Sequence, residues 1–518
     1  MTILLDNPIP FRGGVRLAAN KAQSLEKPTT EAFLPSLLTI PLRQHIGSSA
    51  IPIVKVGEQV LKGQEIAHDQ GFISATIHAS SSGKIVEIAN RPVPNPSGHS
   101  VPCIVIETDA KDEWIEHAGV KVDPYELSPI DIHDRIHAAG IVGLGGAGFP
   151  AAVKMLPGVH SEIHLLILNA AECEPYITCD ESLMQTNAKE IIDGLEIIRH
   201  AVQARECVIG IEDNKIKAIA ALRQAIDDIG ETSIEVVSLP TIYPAGSEKQ
   251  LIKSLTGLEV PAQGLPLDLN IVCYNVGTVY AIYNAITYGE PLVSRVVTIT
   301  GEAIKQPQNL KARIGTPINE LIKQCGGYIG EVDRMLIGGP MMGFTLHNDT
   351  APVIKTTNCV IATTAVDVPL PQPVLPCIRC GDCAAVCPVN LLPQQLYWYA
   401  RANDYDKVQD FKLFDCIECA CCDYVCPSHI PLVKYYQSAK AEIWDQERQR
   451  MKSDQARQRF NAHNARIELE QEQRELEQPQ PQGKETIKAE IDAAVKRVKA
   501  KKAEKDNQSI RHKDKADD

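Results

Sequence analysis

Two short stretches in the last third of the chain decide its fold: CIRCGDCAAVCP at residues 377–388 and CIECACCDYVCP at residues 416–427. Both have the spacing C-x2-C-x2-C-x3-C-P. In this spacing three neighbouring cysteines surround one iron–sulfur cube, while the fourth, which precedes a proline, faces a second cube. The repeat therefore predicts two [4Fe-4S] clusters with exchanged ligands. The expected ligands are Cys377, Cys380, Cys383 and Cys426 for the first cluster, and Cys416, Cys419, Cys422 and Cys387 for the second.

A structural zinc site is the alternative explanation for paired cysteines. Zinc takes four ligands in all from such pairs, so it explains neither the third cysteine of each stretch nor the repeat. A ninth cysteine, Cys421, has no ligand position in the pattern. Between the two stretches the sequence has a helical pattern without alternating strands. We therefore expect a helical two-cluster ferredoxin domain at residues 377–440.

The composition of the whole chain favours a large multidomain protein. It has 518 residues, of which 44% are hydrophobic and 23% charged. No apolar stretch approaches the roughly 18 residues of a membrane span, and the amino-terminal sequence lacks the pattern of a signal peptide. The net charge of −13 argues against a nucleic-acid-binding surface. We expect a cytoplasmic chain that reaches a membrane only peripherally.

The region before the flavin-like segments reads as short β-strands separated by glycine. The phrases VGEQVLKGQ at residues 56–64 and ASSSGKI at residues 79–85 resemble those of the lipoyl and biotinyl carrier fold. That fold carries its cofactor on a lysine in the hairpin between the two phrases. Here the hairpin reads AHDQGF at residues 67–72 and contains no lysine. We expect a barrel-sandwich scaffold without a carrier function.

The remaining patterns complete a multidomain α/β architecture. Apolar runs alternate with helical ones in the middle of the chain, which favours a parallel sheet. A proline-rich stretch precedes the cysteines, and the last residues are charged with few apolar positions, which predicts either a solvated helix or disorder. The expected boundaries are 1–37 for an N-terminal extension, 38–110 for the barrel-sandwich module, 131–290 for an α/β FMN- and NADH-binding domain, 291–345 for a β-grasp-like (SLBB) unit, 346–376 for a linker, and 441–518 for the charged tail.

A glycine-rich turn, GLGGAGFP at residues 143–150, opens the α/β region. Glycines allow backbone amides to approach a phosphate or a flat ring closely. A turn of this kind is also common without any ligand. The turn alone therefore leaves a cofactor site and a plain tight turn equally open.

The order of four segments resembles the flavin-bearing, NADH-oxidising subunit of respiratory complex I. These segments are GLGGAGFP, NAAECEP at residues 169–175, YPAGSE at residues 243–248 and NVGT at residues 275–278. Together with the β module, the phrase GGPMMG at residues 338–343 and the tandem clusters, the chain is similar to the RnfC (RsxC) family of the Rnf (Rsx) ion-translocating electron-transport complexes. The resemblance covers roughly residues 10–440.

The resemblance implies an FMN site and an adjoining NAD(H) site, with no catalytic acid, base or nucleophile from the protein. The glycines would hold FMN, with Lys154 near its phosphate or ring edge, polar side chains would bind its ribityl and phosphate oxygens, and an aromatic and two acidic residues would face the dinucleotide. The implied residues are Gly143, Gly145, Gly146, Gly148, Lys154, Asn169, Asn275 and Thr278 for FMN, and Phe149, Glu174 and Glu248 for NAD(H). The sequence departs from the complex I pattern at Leu144, Ala171 and Ser247, where that family has arginine, aspartate and glutamate.

These expectations describe a peripheral subunit on the cytoplasmic face of a bacterial inner membrane. It would exchange a hydride between NAD(H) and FMN and pass single electrons through the clusters. Its partners would be the integral and peripheral subunits of the same complex, and ferredoxin or another redox protein, but no nucleic acid. A cluster-bearing scaffold with a vestigial flavin site is the alternative. A quinone-reacting protein, like the related subunit of sodium-pumping NADH:quinone reductase, fits less well because that relative lacks tandem clusters.

Overall fold

A computed structural model describes residues 7–116, 118–155, 162–230, 233–366, 372–477 and 483–511. The chain divides into two compact units, residues 1–440 and residues 441–518. The first unit contains all of the sheets and the cysteine stretches. Within the described ranges, no helix combines the length and the apolar character needed to cross a membrane.

The first module of the large unit is built from antiparallel strands. Along β2 the buried side chains of Leu38 and Ile40 alternate with more exposed ones, as expected for a strand with one face toward a core. Four strands form one sheet in the order β2-β8-β7-β4, and three form another in the order β3-β5-β6. The elements up to this point are helix α1 (Ala22–Leu25) and strands β1 (Thr30–Glu31), β2 (Leu37–Pro41), β3 (Ile51–Pro52), β4 (Gln59–Val60), β5 (Glu65–His68), β6 (Ile77–His78), β7 (Gly83–Pro92) and β8 (Ser100–Thr108).

The second module is an α/β domain around a parallel sheet. Its strands are continuous apolar runs that are buried on both faces, which is typical of a parallel sheet covered by helices. The strand order is β11-β10-β9-β12, so the chain reverses its direction of travel between β9 and β12. The elements are α2 (Pro129–Ala138), β9 (Leu165–Ala170), α3 (Cys179–Thr186), α4 (Ala188–Val202), β10 (Glu206–Glu212), α5 (Ile216–Ile229), β11 (Ile234–Leu239), α6 (Glu248–Thr256), β12 (Ile271–Asn275) and α7 (Val276–Tyr288).

The reversal between β9 and β12 fixes where a ligand can bind. In open α/β sheets the crevice lies at the carboxyl ends of the strands on either side of such a reversal. Asn169 near the end of β9 pairs in register with Asn275 at the end of β12. The two asparagines from separate sequence segments therefore lie side by side at this crevice.

A six-stranded sheet forms the third module, in the order β1-β14-β13-β17-β15-β16. Its first strand comes from the N-terminal extension, because β1 pairs in parallel with β14. The elements are β13 (Ser294–Thr300), β14 (Gln308–Arg313), α8 (Ile318–Gln324), β15 (Arg334–Ile337), β16 (Phe344–Leu346) and β17 (Cys359–Thr363).

The position of β17 corrects the expected linker at residues 346–376. All five residues of β17 are buried, and the strand pairs in parallel with β13 and antiparallel with β15. The apolar sequence CVIAT fills a central position of the sheet, so this part of the chain belongs to the third module. Residues 367–371 of the proline-rich stretch lie outside the described residues.

The cysteine stretches lie in a helical module, and no strand occurs in residues 372–440. This confirms the helical ferredoxin type expected from the sequence. Its helices are α9 (Asp382–Ala385), α10 (Pro393–Arg401), α11 (Tyr405–Asp410), α12 (Cys421–Tyr424) and the first part of α13 (Leu432–Glu477).

The second unit contains the rest of α13 and helix α14 (Lys484–Arg511). Most side chains described in this unit are exposed. Of the two states that the sequence left open for the tail, helix is the one found in the described residues. Residues 478–482 and 512–518 lie outside them.

Candidate functional site

The glycine-rich turn forms a closed loop whose tip is free. The amide of Gly143 donates to the carbonyl of Phe149 at 2.8 Å, and the amide of Gly148 donates to the carbonyl of Gly143 at 3.2 Å. Gly146 at the exposed tip has φ +111°, and a Cβ added there meets no atom within 4 Å. The loop thus presents bare backbone to an open space, which is the surface that a phosphate or a flat ring needs for close approach.

Gly148 lies on the opposite side of this loop. A Cβ added to Gly148 would come within 2.7 Å of Cγ2 of Thr356 and 3.4 Å of Cα of His45. Its φ is +67°. Gly148 therefore shapes the loop from behind and does not line the open space in front of Gly146.

Two polar side chains predicted to bind FMN hold loops in place as well as lining the crevice. The Oγ1 of Thr278 accepts from the amide of Leu144 at 2.9 Å. The Nδ2 of Asn169 donates to the carbonyl of Gly246 at 2.9 Å. Each bond fixes a neighbouring loop at the end of a strand, so these residues build the crevice whatever they bind.

Asn275 joins the crevice to a buried acidic group that the sequence analysis did not select. Its Oδ1 accepts from the amide of Gly277 at 2.9 Å, capping α7, and its Nδ2 donates to Oδ2 of Asp180 at 2.6 Å. Burial, with the charge of Glu172, raises the pKa of Asp180 to about 6. No pattern in the sequence marks Asp180, because its partner is distant along the chain.

Glu172 is the second acidic residue that the sequence analysis left without a role, although it lies in the quoted segment NAAECEP. Its carboxylate accepts from the amide of Asp180 at 2.8 Å and lies 3.5 Å from Nζ of the buried Lys215. Lys215 also contacts Glu181 at 2.9 Å and Glu212 at 3.5 Å. This ion network fixes the start of α3, and through it the position of Asp180.

Lys154 and Glu248 form an ion pair at one end of the crevice. The Nζ of Lys154 lies 2.6 Å from Oε1 of Glu248 and donates to the carbonyl of Cys273 at 3.1 Å. Burial acts to lower the pKa of Lys154, but the negative charge of Glu248 outweighs it and raises this pKa. The lysine is therefore a fixed positive charge beside the glycine loop.

Most of the residues predicted to bind cofactors lie around one cavity of about 200 Å³. The structure brings together segments that are far apart in the sequence, from the glycine loop, β9, α6 and α7. The predicted residues that line this cavity are Gly143, Gly145, Phe149, Lys154, Asn169, Glu248, Asn275 and Thr278.

A second cavity of about 450 Å³ shares part of this lining, including Gly145, Asn169 and Asn275. Gly146 and Glu174 also line it, and so do residues of the GGPMMG segment. Its far wall contains residues of the helical module, which are Ile417 and Cys419. The crevice at the glycine loop therefore extends to a predicted cluster ligand.

Glu174 lines the second cavity, but its carboxylate is engaged by backbone. It accepts from the amides of Met341 at 3.1 Å and Met342 at 2.8 Å, in the GGPMMG segment of the third module. Burial raises the pKa of Glu174. The geometry makes Glu174 a tether for this loop, whereas Glu248 retains contact with the first cavity.

The eight cysteines fall into the two sets expected from their spacing. One cavity is lined by Cys377, Cys380, Cys383 and Cys426, and another by Cys387, Cys416, Cys419 and Cys422. Each cavity thus takes three cysteines from one stretch and the last cysteine of the other. These four-thiol sets fit cubane clusters.

Single metal ions fit these cysteines poorly. Thiolates around one zinc ion lie about 4 Å apart, since each Zn–S bond is about 2.3 Å. Within the described residues, the only three candidate ligand atoms that lie within 4.8 Å of one another belong to Glu172, Cys179 and Asp180. The cysteine sets therefore surround spaces wider than a single ion needs. The positive charges of Lys215 and Lys21 already face Glu172.

Comparisons with known families agree with this division of the chain. Residues 9–111 match the RnfC barrel sandwich hybrid domain, residues 136–284 the Nuo51 FMN-binding domain, residues 296–345 the SLBB domain, and residues 376–430 the 4Fe-4S dicluster domain. The chain therefore contains an FMN-binding domain and a domain for two [4Fe-4S] clusters. The expected multidomain architecture is confirmed.

Among solved structures, the NAD+-reducing [NiFe]-hydrogenase in its air-oxidised state aligns with a TM-score of 0.43 and 18% identity, over 56% of this chain and 55% of that chain.

Curated relatives extend the match over most of the chain, and all three described here are the RnfC-type subunit of an ion-translocating oxidoreductase complex. The relative from Pseudomonas aeruginosa is 47% identical over 88% of this chain, and that from Vibrio cholerae 45% identical over 95%. The chain spans 58% and 64% of the lengths of these two relatives. The relative from Yersinia pestis is 45% identical, over 94% of this chain and 78% of its own length. The chain belongs to the RnfC family of ion-translocating oxidoreductase complexes.

Proposed function

We propose that this chain moves electrons between NAD(H), FMN and two [4Fe-4S] clusters, and exchanges them with redox subunits of a membrane-bound complex. One observation carries the proposal. The cavity that contains the glycine loop at Gly145 and Gly146 also contains Cys419 of the second cysteine set. A donor at the loop and an acceptor at the cysteines would share one enclosed space.

Bound FMN would accept a hydride from NADH, and the two clusters would each accept one of its two electrons. The overall change converts NADH and two oxidised clusters into NAD+, two reduced clusters and one proton. The protein residues supply position and charge and take part in no covalent step.

For FMN we assign the bare backbone at Gly143, Gly145 and Gly146, with Gly148 holding the loop in shape. Lys154 would supply positive charge toward the phosphate or ring edge. Asn169, Asn275 and Thr278 would face the ribityl and phosphate oxygens from the strand ends. The free space at Gly146 supports this assignment, because any side chain there would occupy it.

For NAD(H) we assign the face of the first cavity that carries Phe149 and Glu248. The ring of Phe149 is partly exposed beside the glycine loop and can stack on a flat base. The carboxylate of Glu248, paired with Lys154, can accept a hydrogen bond from a ribose hydroxyl. Glu174 would act on this site indirectly, because its oxygens hold the loop at Met341 and Met342.

The clusters would be filled in order of their distance from the glycine loop. The set with Cys387, Cys416, Cys419 and Cys422 borders the flavin-side cavity through Cys419. The other set includes the exposed Cys380 and opens to the surface of the helical module. Electrons entering from NADH would therefore reach the buried cluster first and leave from the exposed one.

The setting that we propose is the cytoplasmic face of a bacterial inner membrane, with the chain bound peripherally to the other subunits of its complex. The names of the relatives, which are subunits of ion-translocating complexes, support this setting. The exposed cluster would meet either a membrane redox subunit or a ferredoxin-like protein.

Gly146→Val tests the flavin assignment in the reconstituted chain. Valine is strained at φ +111° and would project into the space assigned to FMN. We expect FMN content and NADH-driven cluster reduction to be lost, while iron content is unchanged. Gly71→Val is the matched control, because Gly71 has φ +85° and equally open surroundings in another module.

Two results would contradict the proposal. One is full FMN occupancy in the Gly146→Val chain. The other is an unsubstituted chain that loads both clusters but takes up no FMN, which would favour the cluster-bearing scaffold.

A further inference from the structure

A short segment of the N-terminal extension, residues 13–15, connects the α/β domain to the helical module. We call it the N-terminal strap. The amide of Gly14 donates to the carbonyl of Val386 at 2.9 Å. Val15 exchanges two backbone hydrogen bonds with Tyr243, at 2.8 Å and 3.0 Å. The strap therefore bonds on one side to the residue before ligand Cys387, and on the other to the wall of the flavin-side cavity.

The strap fits against both partners with no room for a side chain. A Cβ added to Gly13 would lie 2.6 Å from the carbonyl oxygen of Val386 and 2.9 Å from the carbonyl carbon of Cys387. A Cβ added to Gly14 would lie 2.6 Å from the carbonyl oxygen of Tyr243. Both glycines have positive φ, at +75° and +77°. Two consecutive glycines are needed here for conformation and for contact.

The strap also closes a dry seam between the two redox sites. Val15, Tyr243, Cys419 and Cys421 form one buried cluster, and Met341 packs against it. Tyr243 lines the flavin-side cavity, as does Cys419. The path from the glycine loop to the second cysteine set thus crosses packed side chains whose spacing depends on the strap.

We propose that the N-terminal strap sets the separation between FMN and the second cluster, with Gly13, Gly14 and Val15 as positioning residues. This inference rests on the proposed function. The step that it controls is the transfer of one electron from reduced FMN to the oxidised cluster, with the accompanying proton released to water. No residue of the strap touches either redox group.

Gly13→Ala, in the full chain loaded with FMN and iron, tests the strap. The new methyl group would push against the carbonyl of Val386 and displace the helical module from the cavity wall. Gly57→Ala is the matched control, because Gly57 has φ +94° and no atom within 4 Å of an added Cβ. The control carries the same kind of backbone strain without the collision.

Two rates distinguish positioning from a loss of structure. In stopped-flow absorbance, flavin reduction by NADH should keep its normal rate in Gly13→Ala, and cluster reduction should slow roughly tenfold or more, as small misplacements do. FMN and iron contents should stay at the wild-type level. In hydrogen–deuterium exchange, the amides of Gly14 and Val15 should lose protection. Gly57→Ala should match the unsubstituted chain in every measurement.

Val15→Pro gives a second test should Gly13→Ala fail to load its cofactors. Proline removes the amide that donates to Tyr243 and leaves Gly13 in place. The same separation of the two rates is expected. Wild-type cluster reduction in either fully loaded variant would overturn the inference, as would loss of cofactors in both.

A failure of the proposed function would look different. If NADH reduces nothing in the unsubstituted chain, photoreduction of bound flavin still measures transfer to the clusters. The effect of Gly13→Ala on that transfer then decides the inference by itself. If the unsubstituted chain binds no FMN, the premise shared by both proposals is wrong.

Discussion

The two cysteine stretches have the same spacing but different surroundings. In the first set Cys380 is exposed, and the other three cysteines are partly exposed. In the second set Cys387, Cys419 and Cys422 are buried, and Cys419 borders the flavin-side cavity. Spacing determines how many thiols meet, whereas the surrounding fold determines which set can receive electrons inside the chain and which can pass them outward.

The largest expected effect comes from removing one equivalent ligand from each set. Cys387→Ala and Cys426→Ala should each lower the iron content from about eight to about four per chain, since each removes one cubane. NADH should still reduce the remaining cluster in Cys426→Ala. In Cys387→Ala, reduction of the remaining cluster should slow at least about a hundredfold, because the nearer acceptor is absent.

Low-temperature electron paramagnetic resonance after rapid mixing with NADH measures this difference. Dithionite serves as the control, because it should reduce the remaining cluster in both variants. Equal NADH-driven rates in the two variants would remove the distinction between an inner and an outer cluster.

Iron removal should show a smaller difference between the sets. A chelator with a mild oxidant should release iron in two phases of equal size, the faster from the set that contains Cys380. A ratio of about tenfold corresponds to about 1.4 kcal/mol more local opening for the buried set. Absorbance of the iron–chelator complex follows both phases. Cys387→Ala should abolish the slow phase alone, and a single phase in the unsubstituted chain would contradict the difference in burial.

The smallest effect concerns Cys421, which is fully buried between two ligands of the second set. Cys421→Ser should leave iron content unchanged, because this cysteine does not complete either set of four. A buried hydroxyl without a good partner should lower the free energy of unfolding by about 1–3 kcal/mol. Thermal unfolding of Cys421→Ser beside Cys421→Ala measures this cost. Loss of four irons in both variants would make Cys421 a ligand.

The cysteine sets were accessible from sequence because the information is local. Seven consecutive positions fix three thiols, and a helix carries the fourth toward the other set. The glycine loop at residues 143–150 is local in the same way. Its role became specific only through its order relative to distant segments such as the one at Asn275.

The errors and omissions concern contacts between distant segments. β17 was assigned to a linker because its partners, β13 and β15, are separate in the sequence. Glu174 was assigned to the NAD(H) face, but it binds the amides of Met341 and Met342, 167 and 168 residues further along the chain. The strap at residues 13–15 has no pattern of its own beyond two glycines.

The exchange of the fourth cysteine has a consequence for synthesis of the protein. Cys377, Cys380 and Cys383 are translated well before Cys426, with which they line one cavity. A nascent chain that ends before Cys422 contains a complete ligand set for neither cluster. Iron insertion would then act as a checkpoint on translation, since a prematurely terminated chain can offer only incomplete sites and exposes thiols that mark it for removal.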